Sequence, residues 1–133
     1  MNIAVYSPAD LDERRIVELT GIYAGLIEAV GWEPRHALAA ALSRSLLIAV
    51  ASLNGEAIGA TRVVGDGIYN AILYDLVVSP EHRGKGIGQA LVHACLQRIR
   101  TRDLTCIADP SASGFYQATG WSPVEGFILS RDQ

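Results

Sequence analysis

A short glycine-rich segment with two cationic side chains follows an apolar stretch in the second half of the chain. This segment, residues 79–91, reads SPEHRGKGIGQAL and contains Arg83, Gly84, Lys85, Gly86 and Gly88. Glycine lets a backbone approach a ligand with no Cβ in the way, and the free N–H groups at a helix start attract anions. A strand, a glycine-rich turn and a helix start in this order therefore predict an anion site that suits a pyrophosphate. The alternative is a tight turn that binds nothing.

The spacing of the glycines excludes two common phosphate-binding loops. The P-loop requires GxxxxGK[ST], but Lys85 is followed by Gly86, and no Ser or Thr lies in register. The dinucleotide fingerprint requires GxGxxG/A. Its last position holds Gln89 when the motif is counted from Gly84, and Leu91 when it is counted from Gly86. A phosphate-bearing ligand would therefore have to be recognised by another kind of loop.

The composition predicts one domain with a single core. The chain has 133 residues, of which 50% are apolar, and its formal net charge is −3, which argues against a nucleic-acid partner. Cys95 and Cys106 lack CxxC spacing and the three histidines lack metal-ligand spacing, so we predict reduced thiols and no metal. The N-terminus has no signal-peptide pattern, and no apolar run approaches the roughly 20 residues of a membrane helix. We therefore expect a cytoplasmic protein without a membrane partner.

The spacing of apolar residues predicts the order of the secondary-structure elements. In the first part of the chain it indicates a strand, two helices and three antiparallel strands, over residues 2–6, 11–30, 34–42, 46–53, 57–64 and 68–78. Later it indicates a helix, a strand, a short helix and one or two final strands, over residues 86–100, 104–108, 111–119 and 121–129. Asp10 is expected to cap the first long helix, and Asn54-Gly55 to turn a hairpin. This order predicts a mixed α/β (α+β) layer.

Two motifs together resemble those of a known family. Arg83-x-x-Gly86-x-Gly88 resembles the [Q/R]xxGx[G/A] acyl-CoA signature of the GNAT superfamily of N-acetyltransferases, and the surrounding LYDLVVSPEHRGKGIGQALV resembles its signature strand and helix. The later GFYQATGW, residues 114–121, resembles the second recurring motif of the family. The resemblance runs from about Gly31 to the C-terminus. The segments DGIYNAILYDLVVSP and ADPSASGFY look most similar to the small plant and cyanobacterial type of serotonin (arylalkylamine) N-acetyltransferase.

The resemblance implies a GNAT fold over residues 1–133, as a single acyl-CoA N-acyltransferase domain. This fold would have a central, mostly antiparallel mixed sheet of 6–7 strands with one splayed parallel pair, flanked by about four helices. Acetyl-CoA, the implied cosubstrate, would lie in the V-shaped gap between the strands at 72–78 and 104–108. The implied cofactor-binding residues are Leu76, Val77, Val78, Arg83, Gly84, Lys85, Gly86, Ile87, Gly88, Gln89, Asp109 and Tyr116.

The same resemblance implies acetyl transfer to a primary amine by direct attack in a ternary complex. Tyr116 matches the family's general acid, with core packing as the alternative. Asp75 is the first candidate for the general base, and a hydrogen-bonded or ion-paired core residue is the alternative. Asp109 is the second candidate, and its alternative is a helix N-cap. An oxyanion donor is expected at the backbone N–H of Val77 or Val78, freed by a bulge.

The sequence gives less specific signals for the residues that bind the amine acceptor. Trp32, Tyr69 and Asp75 are the predicted substrate-binding residues, with Trp121 as a further aromatic, although single aromatics more often fill cores. A small arylalkylamine is one predicted acceptor. The alternatives are a peptide, protein or aminoglycoside-type amine, or a non-catalytic acyl-CoA-binding module. Edge strands at the C-terminus are compatible with a homodimer.

Overall fold

The computed structural model describes residues 1–131, which form a five-stranded mixed sheet with helices on both faces. The strands are β1 (Asn2–Tyr6), β2 (Leu47–Leu53), β3 (Glu56–Val64), β4 (Ile72–Val78) and β5 (Thr105–Cys106). The helices are α1 (Glu13–Ala29), α2 (Leu38–Ser43), α3 (Ile87–Leu96) and α4 (Ser113–Ala118). The strands lie in the sheet in sequence order, and every neighbouring pair is antiparallel except β4 and β5, which are parallel. The mixed α/β prediction is therefore confirmed.

The two faces of the sheet carry separate cores. Along β2, Leu47 and Ala49 point to the face covered by α3, whereas Ile48 and Val50 point to the face covered by α1 and α2. This alternation follows from the two-residue period of a strand, and burial on both sides explains why β2 reads as a continuous apolar run. α1 contributes Leu19, Tyr23, Leu26 and Ile27 to its core.

The predicted first helix is confirmed, but its cap is not the expected one. Asp12 precedes α1, and its carboxylate accepts the backbone N–H of Arg15 at 2.9 Å. Asp10 instead ends a 3₁₀ turn, Pro8–Asp10. The cap moved because Pro8 fixes the turn that comes first, so that the helix begins two residues later.

The sheet has fewer strands than the resemblance implies. Within residues 1–131 it has five strands rather than six or seven, because 121–130 form no regular element. Pro123 lacks an N–H for a strand ladder, and Gly126 weakens the alternation on either side of it. Trp121 packs partly against the core, but the later apolar side chains of this segment, among them Val124, Phe127 and Leu129, are exposed. The prediction of one or two final strands is therefore wrong for these residues.

The loop before β4 is longer than predicted. One carboxylate oxygen of Asp66 accepts the backbone N–H groups of Ile68, Tyr69 and Asn70 at 2.8–2.9 Å. These hydrogen bonds lower the pKa of Asp66 to about 2. They hold residues 68–70 in a turn, so β4 begins at Ile72 rather than at residue 68.

Several other elements are also shorter than the sequence predicted. α2 begins at Leu38 instead of residue 34, α3 ends at Leu96 instead of residue 100, and β5 contains only Thr105 and Cys106. The hairpin at Asn54-Gly55 is confirmed, with φ of +52° and +80°, as a two-residue turn of primed type requires. In residues 1–131 no helix combines the length and the apolar character needed to cross a membrane.

Candidate active site

A groove opens where the two parallel strands separate. β4 and β5 pair only at Ile72 with Thr105 and at Leu73 with Cys106, and β4 then continues to Val78 without β5 beside it. A cavity of about 660 Å³ lies there, and α3 and α4 form its other wall. The predicted gap between a splayed parallel pair is therefore present, although β5 is only two residues long.

The groove brings together most of the predicted cofactor-binding residues. Its wall includes Leu76, Val77, Val78, Arg83, Gly84, Gly86, Ile87, Gly88, Gln89 and Tyr116. Lys85 and Asp109 lie outside this wall. The Asp109 carboxylate accepts the N–H of Ser111 at 3.3 Å and caps the 3₁₀ turn Pro110–Ala112. This is the capping role that the sequence left open for Asp109 as its alternative.

The glycines of the corner are needed for two different reasons. Gly84 and Gly86 have φ of +75° and +80°, a left-handed conformation that costs other residues about 1–2 kcal/mol. Gly88 lies in the first turn of α3, and a Cβ there would approach the ring of Phe115 to 3.2 Å. Glycine is therefore required at residues 84 and 86 by the backbone conformation, and at residue 88 by the close contact between α3 and α4.

The corner can hold an anion. Gly86 directly precedes α3, and the first N–H groups of a helix have no partner inside the helix. The helix dipole adds partial positive charge, and Arg83 in the same wall adds a full charge. The residues present therefore suit a pyrophosphate.

His82 is a groove residue that the sequence did not predict to lie there. It lies in the wall beside Arg83, and its Nδ1 is buried without a hydrogen-bond partner among residues 1–131. An unpaired buried polar atom costs about 1–3 kcal/mol, so a polar ligand in the groove would relieve this cost. Its position next to Arg83 in the motif was the only signal in the sequence.

Tyr116 stands on the opposite wall from β4, held by other aromatic rings. Its ring meets those of Phe115 and Trp121 edge to face, each at 5.1 Å between centroids. Partial burial, with a smaller contribution from the nearby Cys106, raises the pKa of Tyr116 to about 12. The phenol is therefore protonated at neutral pH and can donate a proton or a hydrogen bond.

β4 contains a bulge next to the groove. Ala60 pairs with Val77 and Arg62 with Tyr74, so Asp75 and Leu76 together lie opposite the single residue Thr61. Asp75 has φ of +54°, a conformation typical of the first residue of one bulge type. The bulge was predicted to free the N–H of Val77 or Val78, but those residues pair regularly and the irregularity precedes them.

The carboxylate of Asp75 is held by two cations. Oδ1 lies 2.7 Å from Nη2 of Arg35, and Oδ2 lies 2.7 Å from Nε of Arg62. The Asp75 side chain is only 7% exposed, and that of Arg62 is 14% exposed. These contacts match the ion-paired role that the sequence left open as the alternative to a general base.

The predicted acceptor residues lie in different places. Trp32 lines both the groove and a second cavity of about 700 Å³ between α1 and α2. The Arg35 guanidinium lies 5.8 Å from the centroid of the Trp32 ring, which links Trp32 to Asp75. Tyr69 is 87% exposed, at the tip of the loop before β4, and lies in the wall of neither cavity.

Comparison with known proteins identifies the family. Residues 29–128 match the family model described as an acetyltransferase (GNAT) domain. The chain belongs to the GNAT family.

Three relatives are similar over part of the chain. GCN5-related N-acetyltransferase 2, chloroplastic, of Arabidopsis thaliana is 32% identical over 73% of this chain and 47% of its own length. Serotonin N-acetyltransferase 2, chloroplastic, of Oryza sativa is 32% identical over 51% of this chain and 36% of its own length. The uncharacterized N-acetyltransferase ycf52 of Pyropia yezoensis is 30% identical over 72% of this chain and 60% of its own length. This GNAT chain thus spans about half the length of the curated relatives it matches.

Two solved structures share the fold over nearly the whole chain. SP0256, a GNAT family protein from Streptococcus pneumoniae, has a TM-score of 0.79 at 26% identity and covers 99% of this chain. The match also covers 98% of the SP0256 chain. AAC(6')-Iy, solved with a CoA-containing bisubstrate analogue, has a TM-score of 0.70 at 18% identity, with coverages of 100% and 99%. At that identity the likeness concerns the fold alone.

Substitutions in the glycine corner should separate backbone recognition from side-chain recognition. Gly86→Ala and Gly88→Val are expected to weaken coenzyme A binding about tenfold or more, because the first strains a left-handed residue and the second displaces Phe115. Lys85→Ala, the matched control outside the groove wall, should change the Kd less than about threefold. Calorimetry with coenzyme A measures all three, after circular dichroism shows that each variant is folded. Equal losses in the three variants would contradict recognition by the backbone.

Proposed function

We propose that the chain is an acetyl-CoA-dependent N-acetyltransferase that transfers the acetyl group to a primary amine in a ternary complex. The observation that carries this proposal is the groove beside β4. A single cavity joins the left-handed glycine corner and the start of α3 to the backbone of Leu76–Val78 and to the phenol of Tyr116. Family membership supports acetyl-CoA as the cosubstrate.

In this proposal the groove holds acetyl-CoA mainly through main-chain groups. The pyrophosphate would bind the N–H groups between residues 83 and 89, where positive φ values and the helix start leave donors free. The pantetheine arm would pair with the open edge of β4 at Leu76–Val78, because β5 does not cover that edge. Such pairing aligns the thioester with the bulge and with Tyr116.

The transfer itself is a balanced exchange at one carbon. The amine nitrogen attacks the thioester carbonyl carbon, the C–N bond forms, and the carbonyl electron pair moves onto oxygen. The C–S bond then breaks, the oxygen regains its double bond, and the CoA sulfur takes the phenolic proton of Tyr116. The amine proton leaves to a base, and Tyr116 recovers a proton from solvent. Because the pKa of Tyr116 is about 12, the phenol is ready to donate across the neutral range.

Asp75 has two competing roles in this scheme. As a general base it would accept the amine proton, since an alkylamine has a pKa of about 10 and is mostly charged at neutral pH. However, both of its oxygens already face guanidinium groups at 2.7 Å, and a proton would have to displace an ion pair. The ion pairs support a role as an anchor that ties Arg35, and with it the loop that carries Trp32, to β4.

The acceptor is proposed to be a small arylalkylamine. Trp32 lies between the groove and the cavity formed by α1 and α2, where its ring can cover an aromatic amine. The serotonin N-acetyltransferase among the relatives supports this acceptor class. A peptide amine, an aminoglycoside-type amine and a non-catalytic CoA-binding module are the competing outcomes of the assay below. A cytoplasmic location and a homodimer stay predictions from the sequence.

An acceptor panel tests the proposed function directly. With acetyl-CoA present, tryptamine or phenylethylamine should release free thiol at a rate that saturates with amine concentration. Turnover only with peptides or aminoglycosides would keep the chemistry and overturn the acceptor. Coenzyme A binding by calorimetry without turnover on any amine would point to a binding module instead.

Tyr116→Phe tests the proton donor. We expect kcat to fall about 100-fold, because general acids contribute about this much, while the Kd for coenzyme A changes less than about twofold. Because the pKa of Tyr116 is raised to about 12, the wild type should lose no rate to ionisation of this phenol below about pH 10. Tyr6→Phe in β1 is the matched control and should keep the wild-type kcat. A parallel loss of cofactor affinity would mean that Tyr116 only binds or packs.

A double-variant cycle decides between the two roles of Asp75. If Asp75 is an anchor, Asp75→Asn and Arg35→Ala should each lower kcat/KM for the amine about tenfold, the double variant should be no worse, and neither deficit should depend on pH. Arg44→Ala, just after α2, serves as the control. A deficit of Asp75→Asn alone that shrinks as pH rises towards about 10 would instead support the general base.

A further inference from the structure

Tyr23 on α1 makes a contact with the bulge that has no role in the acetyl transfer proposed above. Its side chain is fully buried among Leu19, Leu26 and Val77, and its hydroxyl donates a hydrogen bond to the backbone carbonyl of Asp75. Burial raises the pKa of Tyr23 well above its usual value, so the phenol stays protonated and remains a donor. The two residues lie 52 positions apart in the sequence.

The bulge decides which side chains of β4 reach the groove. Leu73 and Leu76 both pack against the core on the α3 face, although strand residues three apart normally point to opposite faces. The extra residue at Asp75 accounts for this. If β4 were regular through Asp75, every residue from Leu76 onwards would turn to the other face of the sheet.

The hydrogen bond from Tyr23 also orients one peptide group. The carbonyl of Asp75 and the N–H of Leu76 belong to the same planar trans peptide, in which they point in opposite directions. Because the carbonyl points to Tyr23 on the α1 face, the N–H of Leu76 points away from α1. Leu76 itself lies in the groove wall.

We propose that Tyr23 is a positioning residue whose hydroxyl holds the peptide between Asp75 and Leu76, so that the N–H of Leu76 serves as the oxyanion donor. This proposal rests on the proposed acetyl transfer. It assigns the donor to Leu76 instead of Val77 or Val78. Tyr23 itself does not touch the substrate, and acts only through the backbone of the bulge.

Tyr23→Phe removes the hydroxyl and keeps the ring. We expect kcat to fall about tenfold with the same loss at every pH between about 6 and 9, while the Kd for coenzyme A changes less than about twofold. Thr61→Val is the matched control, because the buried hydroxyl of Thr61 donates to the neighbouring carbonyl of Tyr74 at 3.1 Å. Thr61→Val should lower the thermal midpoint about as much as Tyr23→Phe does, but keep kcat within about twofold of the wild type.

A kcat within twofold of wild type in Tyr23→Phe, or an equal kcat loss in both variants, would overturn the proposal. A second measurement needs neither variant to fold. In the wild type, the amide proton signal of Leu76 should move downfield with acetyl-CoA and move less with coenzyme A, which lacks the carbonyl oxygen. No difference between the two ligands would also overturn the proposal. If the wild type binds acetyl-CoA but acetylates no amine, the proposed function fails, and the amide signal still tests the assignment of Leu76.

Discussion

The extra residue in β4 is the constraint on which the rest of the site depends. β4 pairs with β3 on one edge and must leave its other edge open beyond Leu73. Without the extra residue at Asp75, the side chains from Leu76 onwards would point to the opposite face of the sheet, away from the helix that each now faces. The bulge prevents this reversal, and it does so at a residue in the left-handed region. A conformation of this kind persists only where its surroundings hold it, and here a hydroxyl and two cations do so.

The ion pairs of Asp75 connect this backbone feature to the proposed acceptor side. A carboxylate that is 7% exposed is costly unless it is paired, and Arg62 supplies one partner from the adjacent strand. Arg35 supplies the other from the loop between α1 and α2, a loop that ends at Ala37 with φ of +56°. A single carboxylate thus pairs with two guanidinium groups beneath the bulge and ties the loop between α1 and α2 to β4. The position of Trp32 follows from that loop.

The sequence predicts the local features of the site well and the long-range ones poorly. Gly84, Gly86 and the start of α3 were predictable because a turn and a helix start depend on a few neighbouring residues. The bulge at Asp75 was placed too late in β4, since it depends on a hydroxyl 52 positions away and on pairing with β3. Tyr69 was expected near the acceptor because its aromatic ring could flank an aryl amine, but the Asp66 turn places it at an exposed loop tip. The final strands failed for a similar reason, because apolar residues alone do not supply a partner strand.

The two ends of the groove are coupled through side-chain packing. Gly88 lies in the first turn of α3, close to the proposed phosphate end, and it gives room to the ring of Phe115. Phe115 in turn meets Tyr116 edge to face, and Tyr116 meets Trp121 in the same way. Because close-packed rings transmit displacement, a methyl group added at Gly88 would move the phenol as well as the phosphate corner. Under the proposed function, the glycine of the signature would therefore affect both coenzyme A binding and proton donation by Tyr116, although it carries no functional group of its own.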